Sequence, residues 1–343
     1  MNITDLKIAI KYIMDSDSKL VPYAEGVPGL GKSDIVREIA KERAFEQKLP
    51  FYEGPDKFNA EEFGLIDLRL NQLEPSDLTG IPIPVNGEVE MTSSPFIPKF
   101  GQGILFIDEL RQSPTQNISL ASQLLLDRRV GTHKLGDGWE MVVASNRITD
   151  RASAHRMPTH VANRLHHLTL EFDLDSFTEY LHREKLPEVG IAYANWEPDV
   201  LTSFDPKREV NCTPRSYVSA LSMLNAPANI RFNVIASCIG DGPAATLLGF
   251  VDVWKELPDL KLIIGDPLNC PLPQKSDAKF ATTHMMSFNV TVDNFGTMIK
   301  YLERFNSAEY VTMLVTAALQ KSPELGTTKE FDDYIDKNAN ILA

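Results

Sequence analysis

Apolar and polar positions in the first 170 residues follow two periods, which predict helices that alternate with strands. Helical spacing predicts one helix capped by Thr4 or Asp5 and another capped by Ser113 with Pro114 at its first position. The predicted helices cover residues 4–15, 34–47 and 113–126. Continuous apolar runs predict buried strands at residues 20–24, 64–70, 103–110, 141–145 and 165–170. Strands that are apolar on both faces and alternate with helices predict a three-layer α/β fold with a parallel sheet.

Two hairpin signals interrupt this alternation. Asn86 and Gly87 separate two short alternating segments, and this dipeptide favours the type I′ turn of a β-hairpin over about residues 81–91. Turn residues predict a second hairpin over about residues 128–139, with arms in Arg128–Lys134 and Trp139–Ala144. We expect both hairpins to be small insertions in the α/β fold.

After residue 172 the pattern becomes helical. Pro258 and the run Pro267–Pro273 interrupt this part of the chain, and helical spacing recurs in seven segments: 175–184, 214–224, 230–238, 243–255, 277–286, 291–305 and 308–321. The second half of the chain is therefore expected to be mostly helical.

Composition limits the class of protein. The 343 residues are 43% hydrophobic and 24% charged, which is typical of globular domains. The net charge of −13 disfavours a general nucleic-acid-coating surface, although it leaves room for a local basic pore. The three scattered cysteines form neither a disulfide framework nor a zinc spacing, and there is neither a signal peptide nor an apolar run of about 20 residues. We therefore expect a cytoplasmic protein that does not enter the membrane.

One glycine-rich stretch follows the first predicted strand and precedes a helix. It reads Gly26-Val27-Pro28-Gly29-Leu30-Gly31-Lys32-Ser33 and fits the phosphate-binding pattern G-x-x-x-x-G-K-[ST]. Its glycines allow the backbone to approach a polyphosphate, and the helix start adds partial positive charge. Lys32 is expected to reach the β- and γ-phosphates, and the Ser33 hydroxyl is expected to bind Mg²⁺.

Two carboxylates end the apolar strand at residues 103–110. Asp108 is placed to hold Mg²⁺ opposite Ser33, and Glu109 is placed to polarise the attacking water as a general base. Alone, an Asp-Glu pair after a strand is a weak signal. The phosphate loop about 75 residues upstream makes the catalytic interpretation the favoured one.

Two polar residues next to later strands, Asn146 after one and Arg164 before another, complete the candidate site. Asn146 can orient the attacking water, although a turn asparagine is the alternative. Arg164 can stabilise a neighbouring subunit's transition state, as an arginine supplied in trans does. Arg147, Arg151 and Arg156 compete for that role on the sequence alone.

A further arginine lies in the first turn of a predicted helix. Arg215 follows Thr213 as cap and Pro214 at the first helical position. The helix dipole disfavours a cation there unless an anion is close, so a nucleotide phosphate is a candidate partner. A solvated surface arginine is the alternative.

Together these motifs resemble those of an AAA+ ATPase. Gly26–Ser33, Phe106–Leu110, Asn146, Arg164 and Arg215 are similar to Walker A, Walker B, sensor 1, the arginine finger and sensor 2 of that class. The segments 67–82, 103–111 and 157–164 resemble the MoxR family more narrowly. The resemblance covers about residues 5–225.

That resemblance implies a domain organisation. Residues 1–172 would form the α/β nucleotide-binding domain with both hairpins, 173–225 a helical lid, and 226–343 a helical extension. ATP and Mg²⁺ would be the ligands, with Lys32, Glu109, Asn146 and Arg164 catalytic and Ser33 and Asp108 on the metal. The nucleotide-binding residues would be Gly26, Val27, Pro28, Gly29, Leu30, Gly31, Lys32, Ser33, Asp34 and Arg215.

The family also implies an assembly and a task. MoxR-type ATPases form rings, usually hexamers, and remodel or activate a client protein, often with a partner that carries a von Willebrand factor A domain. A nucleic-acid-directed motor or loader on the same ATPase core is the main alternative, which the net charge disfavours. A nucleotide-gated scaffold that does not hydrolyse ATP is another, which the presence of Glu109 and Arg164 disfavours.

Overall fold

The computed structural model describes residues 1–55, 59, 61–147 and 156–342. Its strands are β1 Val21–Glu25, β2 Phe51–Glu53, β3 Phe63–Arg69, β4 Pro82–Val85, β5 Glu88–Met91, β6 Gln102–Asp108, β7 Arg129–Val130, β8 His133–Lys134, β9 Gly138–Ser145 and β10 Leu165–Thr169. The helices up to residue 172 are α1 Ile3–Asp15, α2 Lys32–Glu46, α3 Pro75–Thr79, α4 Thr115–Asp127 and α5 Thr159–Ala162.

The main sheet has six strands in the order β10-β1-β9-β6-β3-β2. Every neighbouring pair in it is parallel. Because the strands are parallel, their carboxyl ends meet along one edge. Strand β9 lies between β1, which leads into the glycine-rich stretch, and β6, which ends in Asp108.

Side chains along the central strands alternate between two separate cores. Leu105 and Ile107 of β6 join one core, which includes residues of α4, whereas Ile104 and Phe106 join the other, which includes residues of α1 and α2. Apolar side chains on both faces require a helical layer on each side of the sheet. The predicted three-layer α/β fold is confirmed.

Several local predictions were wrong in detail. Asn2 caps α1, because its side chain accepts a hydrogen bond from the Asp5 amide. Helix α4 begins at Thr115, and Ser113 instead donates to the Glu109 carbonyl oxygen at 3.0 Å. The pattern also missed strand β2 and helix α3, which are short.

The two hairpins differ in outcome. Strands β4 and β5 pair antiparallel around Asn86 and Gly87, which both have positive φ, as a type I′ turn requires. The second hairpin is smaller than predicted, because β7 pairs only with β8. Trp139–Ala144 is not its second arm: this segment belongs to β9, in the centre of the sheet, and all of it except Glu140 is buried.

Beyond residue 172 the described chain is helical, as predicted. The α-helices are α6 Leu174–Arg183, α7 Glu188–Trp196, α8 Pro214–Ser222, α9 Ala228–Ile239, α10 Asp241–Lys255, α11 Leu260–Gly265, α12 Ser276–Phe288, α13 Val292–Glu303, α14 Ala308–Lys321 and α15 Lys329–Leu342. The sequence pattern missed α7, α11 and α15. Across the described ranges, no helix combines the length and apolar character that crossing a bilayer needs.

The chain divides into two compact units. One contains residues 1–176, 204–209 and 213–215, and the other contains 177–203, 210–212 and 216–343. The first unit holds the main sheet and all the residues of the candidate site. The second has a core of its own, in which α13 and α14 contribute most of the buried side chains.

Candidate nucleotide site

The glycine-rich stretch forms a tight turn between β1 and α2. Gly29 and Gly31 both have φ of +84°, a region that side chains with a Cβ rarely adopt. At Gly26 the constraint is space, since a Cβ there would come within 2.8 Å of the Leu170 carbonyl oxygen. The turn therefore depends on glycine at three positions. Gly31 precedes the first residue of α2, so the loop opens onto a helix amino terminus.

Lys32 turns back across this loop. Its Nζ donates to the carbonyl oxygens of Gly26 at 2.8 Å and Val27 at 3.0 Å, and to Asn146 Oδ1 at 3.1 Å. The side chain is buried, with 8% of Lys32 exposed. The ammonium group is thus held over the loop and against the end of β9.

Ser33 and Asp108 meet at the start of α2. The Ser33 hydroxyl donates to Asp108 Oδ2 at 2.9 Å, although 75 residues separate the two in sequence. Hard cations such as Mg²⁺ prefer carboxylate and hydroxyl oxygens of this kind. These two oxygens fit a magnesium ion that takes its remaining ligands from phosphate and water.

Glu109 occupies a strained position. It has φ of 57° and ψ of 33°, in the left-handed region, between β6 and a short 3₁₀-helix at Leu110–Gln112. Its amide donates to Asp108 Oδ1 at 2.8 Å. Its own carboxylate accepts a hydrogen bond from Asn71 Nδ2. The reversal of the chain at Glu109 thus turns its carboxylate towards the end of β3.

Asn146 links the two halves of the site. It directly follows β9, which lies between β1 and β6, so strand order alone places it between the loop and Asp108. It is 7% exposed, and its Oδ1 accepts from Lys32. The sheet therefore brings together Lys32, Ser33, Asp108 and Asn146, which the sequence places far apart.

Arg215 lies beside the loop. Its Nη2 is 4.0 Å from Asp34 Oδ2, and both side chains are largely exposed. Thr213 and Arg215 also lie against Gly29, because a Cβ on Gly29 would come within 2.7 Å of Thr213 Oγ1 and 3.6 Å of Arg215 Cβ. The segment around Thr213 and Arg215 is thus in contact with the glycine-rich turn.

The candidate trans-acting arginines occupy different environments. Arg164 donates to the Ser122 carbonyl oxygen of α4 at 3.1 Å and to its hydroxyl. Arg147 donates to the Leu170 carbonyl oxygen at 3.0 Å, and Arg156 is exposed. Arg151 lies outside the described residues.

Two site residues escaped the sequence analysis. Asn71, which holds the Glu109 carboxylate, lies in a 3₁₀-helix after β3, within the segment 67–82 that the sequence analysis used only for the family resemblance. Arg111 is 9% exposed and reaches Tyr23 and Glu25 of β1. An arginine after an Asp-Glu pair carries no recognised signal, although the polar residues Tyr23 and Glu25 in a buried strand could have suggested a buried partner.

Strand β3, next to β6, carries a partly buried carboxylate, Asp67. Burial raises the pKa of Asp67 on β3, although Arg69 lowers it through charge and hydrogen bonding and Asp108 raises it. Asp67 Oδ1 is buried without a hydrogen-bond partner, while Oδ2 accepts from Arg69 Nε at 3.1 Å. Asp67 therefore adds a carboxyl group next to the strand that ends in Asp108.

Comparison with known proteins adds little to this geometry. No family model matches the chain, and no curated protein sequence matches it. NtrX from Brucella abortus is 14% identical, with 95% of this chain and 68% of that one covered and a TM-score of 0.42. Two variants of RuvB from Thermotoga maritima are 16% identical, with 78% of this chain and 75% or 77% of theirs covered and TM-scores of 0.33. At such scores the likeness carries no argument, so the functional conclusions depend on the chain's own residues.

Proposed function

We propose that this chain is an ATPase of the AAA+ class and MoxR type, which hydrolyses ATP to ADP and phosphate. One observation carries the proposal: the pairs Lys32–Asn146 and Ser33–Asp108 converge where β1, β9 and β6 end. An ammonium group, a hydroxyl–carboxylate pair and a glycine turn at a helix start are the parts that bind a triphosphate with its magnesium.

Each residue has a distinct task in this proposal. The loop amides and Lys32 neutralise the phosphate oxygens, and Mg²⁺ held by Ser33 and Asp108 would supply further charge stabilisation. Glu109 accepts the proton of the attacking water, and Asn146 orients that water. Asp34 and Arg215 border the loop and contribute to nucleotide binding.

We further propose that the protein acts in the cytoplasm as a ring, of six copies in the MoxR manner, with Arg164 completing the neighbouring subunit's site. The β4–β5 hairpin supports a remodelling role, because its apolar side chains face solvent. Ile81 is 59% exposed, Ile83 40% and Val89 74%. In this proposal the hairpin contacts a client protein or a partner with a von Willebrand factor A domain, and hydrolysis moves it.

Nucleotide binding and turnover of site variants test the ATPase proposal. Lys32→Ala should lose measurable ATP binding, whereas Glu109→Gln should bind ATP and hydrolyse it about 10²–10⁴ times more slowly. Lys300→Ala, which removes an exposed lysine of α13, is the matched control and should behave as wild type. An affinity of Lys32→Ala equal to that of wild type would rule out the loop assignment.

Mixing experiments test the trans-acting arginine. Arg164→Ala should bind ATP but turn it over slowly, and mixing it with Glu109→Gln subunits should restore part of the activity. Failure to restore activity would transfer the role to Arg147, Arg151 or Arg156. Affinity capture on Glu109→Gln held in ATP then identifies the client.

Stimulation of turnover separates the remodelling role from the nucleic-acid alternative. A captured client protein should raise the ATPase rate, and DNA or RNA should leave it unchanged. Stimulation by nucleic acid alone would reverse this assignment and favour a motor or loader.

A further inference from the structure

A buried arginine lies two residues after Glu109. Arg111 is 9% exposed and belongs to the 3₁₀-helix that follows the left-handed Glu109. Arginine side chains are rarely buried unless their donors are paired. The partners of Arg111 therefore indicate why the chain places a charge there.

The guanidinium group is bound to β1. Its Nε donates to the Tyr23 hydroxyl oxygen at 2.8 Å, and its Nη2 donates to Glu25 Oε2 at 3.3 Å. Burial raises the pKa of Tyr23 to about 12, which keeps its hydroxyl protonated. Burial alone would lower the pKa of Arg111, but Tyr23 and Glu25 outweigh it and the pKa is raised. Both partners thus stabilise the charged guanidinium group in its buried position.

The position of Glu25 gives this contact a direct link to the loop. Glu25 is the last residue of β1, and the next residue, Gly26, supplies a carbonyl oxygen to Lys32. Arg111 therefore ties the turn that carries Glu109 to the strand end from which the phosphate loop begins.

The backbone of Arg111 ties the same turn to β9. Its amide donates to Ser145 Oγ at 3.1 Å, and that hydroxyl donates to Gln112 Oε1 at 3.0 Å. Ser145 is paired in register with Glu25 and directly precedes Asn146. One residue thus connects the ends of the strands that carry the loop, the water-orienting amide and the general base.

We infer that Arg111 is a positioning residue that holds the Glu109 carboxylate at a fixed place relative to the phosphate loop. The inference rests on the proposed ATPase function. Fixing a reacting group by rigid side-chain contacts is worth much in rate, because a misplacement of about 1 Å can cost about 10²-fold. Arg111 does not itself touch the reacting atoms, so its effect should fall on turnover and not on nucleotide binding.

Steady-state kinetics and nucleotide titration of Arg111→Met and Tyr23→Phe test this role. Arg111→Met should lower kcat about 100-fold and change ATP affinity by less than about threefold. Tyr23→Phe removes one oxygen and should lower kcat about tenfold. The double variant should be no slower than Arg111→Met alone, because both changes break the same contact. Arg111→Lys should have a higher kcat than Arg111→Met, because lysine keeps the positive charge but cannot donate to both partners with the planar guanidinium geometry.

Arg304→Met is the matched control from the other unit. Arg304 also lies against a tyrosine, with Cζ 5.6 Å from the Tyr301 ring centroid, and it donates to the Cys270 carbonyl oxygen at 2.8 Å. The kcat of Arg304→Met should equal that of wild type. This result would show that loss of an arginine beside a tyrosine ring is not by itself enough to slow turnover.

The outcomes separate this inference from the proposed function. If Arg111→Met does not fold, Tyr23→Phe decides the question. Wild-type kcat in the folded variants, or weakened ATP binding with unchanged kcat, overturns the inference while leaving the ATPase proposal intact. A wild-type protein that binds ATP without hydrolysing it overturns both.

Discussion

Replacing Asn146 by aspartate would turn the neutral partner of Lys32 into a charged one. Asn146 Oδ1 accepts from Lys32 Nζ at 3.1 Å, and both residues are buried. In the native protein Lys32 can exchange this neutral hydrogen bond for a phosphate oxygen at little cost. Asn146→Asp should keep the shape of the site while binding the ammonium group permanently.

The size of the effect follows from Coulomb's law. Two unit charges about 4 Å apart interact by about 4 kcal/mol at an effective dielectric constant of about 20. A phosphate must compete against that attraction and against the new negative charge. Since about 1.4 kcal/mol is a factor of ten, ATP affinity should fall about 1,000-fold. In the nucleotide-free protein, the cost of burying the carboxylate roughly cancels the attraction, so thermal stability should change little.

Titration with a fluorescent ATP analogue, beside thermal unfolding without nucleotide, measures both quantities. Asn146→Ala loses only the neutral hydrogen bond and should weaken binding by no more than about tenfold. Asn225→Asp makes the same change of charge at an exposed position of the other unit and should have no effect. Equal affinities for Asn146→Asp and Asn146→Ala would refute the assignment of Lys32 to the phosphates.

Three further predictions concern the metal, the fold and pH. Ser33→Ala should raise the magnesium concentration needed for half-maximal turnover, measured by titration; an unchanged requirement would exclude this hydroxyl as a ligand. Asn117 is fully buried, and its Nδ2 donates to the carbonyl oxygens of Leu70 and Leu73. Asn117→Ala should therefore lower the free energy of unfolding, measured in urea, by about 2–4 kcal/mol. A decrease of less than about 1 kcal/mol would contradict this account. Burial lowers the pKa of His284 from 6.5 to about 4 in the folded protein. Between pH 6.5 and pH 4 the unfolded chain therefore binds more protons than the folded one, so the free energy of unfolding should fall by about 3 kcal/mol as the pH drops through this range. His284→Phe should flatten that dependence in urea titrations at several pH values.

Five of the six strands of the main sheet were predictable from their apolar pattern, whereas the three-residue β2 was missed. Strand β6 contains four consecutive apolar residues, Ile104–Ile107, and the Asn86-Gly87 turn needs only positive φ at two residues. Wherever local sequence alone decides the structure, as at this hairpin, the prediction was close.

The errors arise where distant residues decide the structure. Trp139 reads as a hairpin arm by its local surroundings, yet the sheet buries it completely and its indole Nε1–H donates to the Phe100 carbonyl oxygen at 2.9 Å. Ser113 reads as a helix cap, but the reversal at Glu109 supplies a competing acceptor.

In the candidate site, too, the features set by local sequence were predicted and those set by distant residues were not. Its loop is contiguous, so the pattern identified it from sequence spacing. The roles of Asn71 and Arg111 depend on contacts between strands, which no spacing encodes. Such contacts require strand order and register, and those become known only from the fold.

The left-handed backbone conformation of Glu109 sets the thermodynamic stability of the fold against the proposed ATP turnover. A residue with a Cβ pays about 1–2 kcal/mol for that conformation, whereas glycine pays nearly nothing and asparagine less. Substituting glycine or asparagine at position 109 should stabilise the folded chain and remove the proposed general base. Under the proposed function, selection for thermal stability alone would favour variants that have lost catalysis, so position 109 should be sequenced in any stabilised variant.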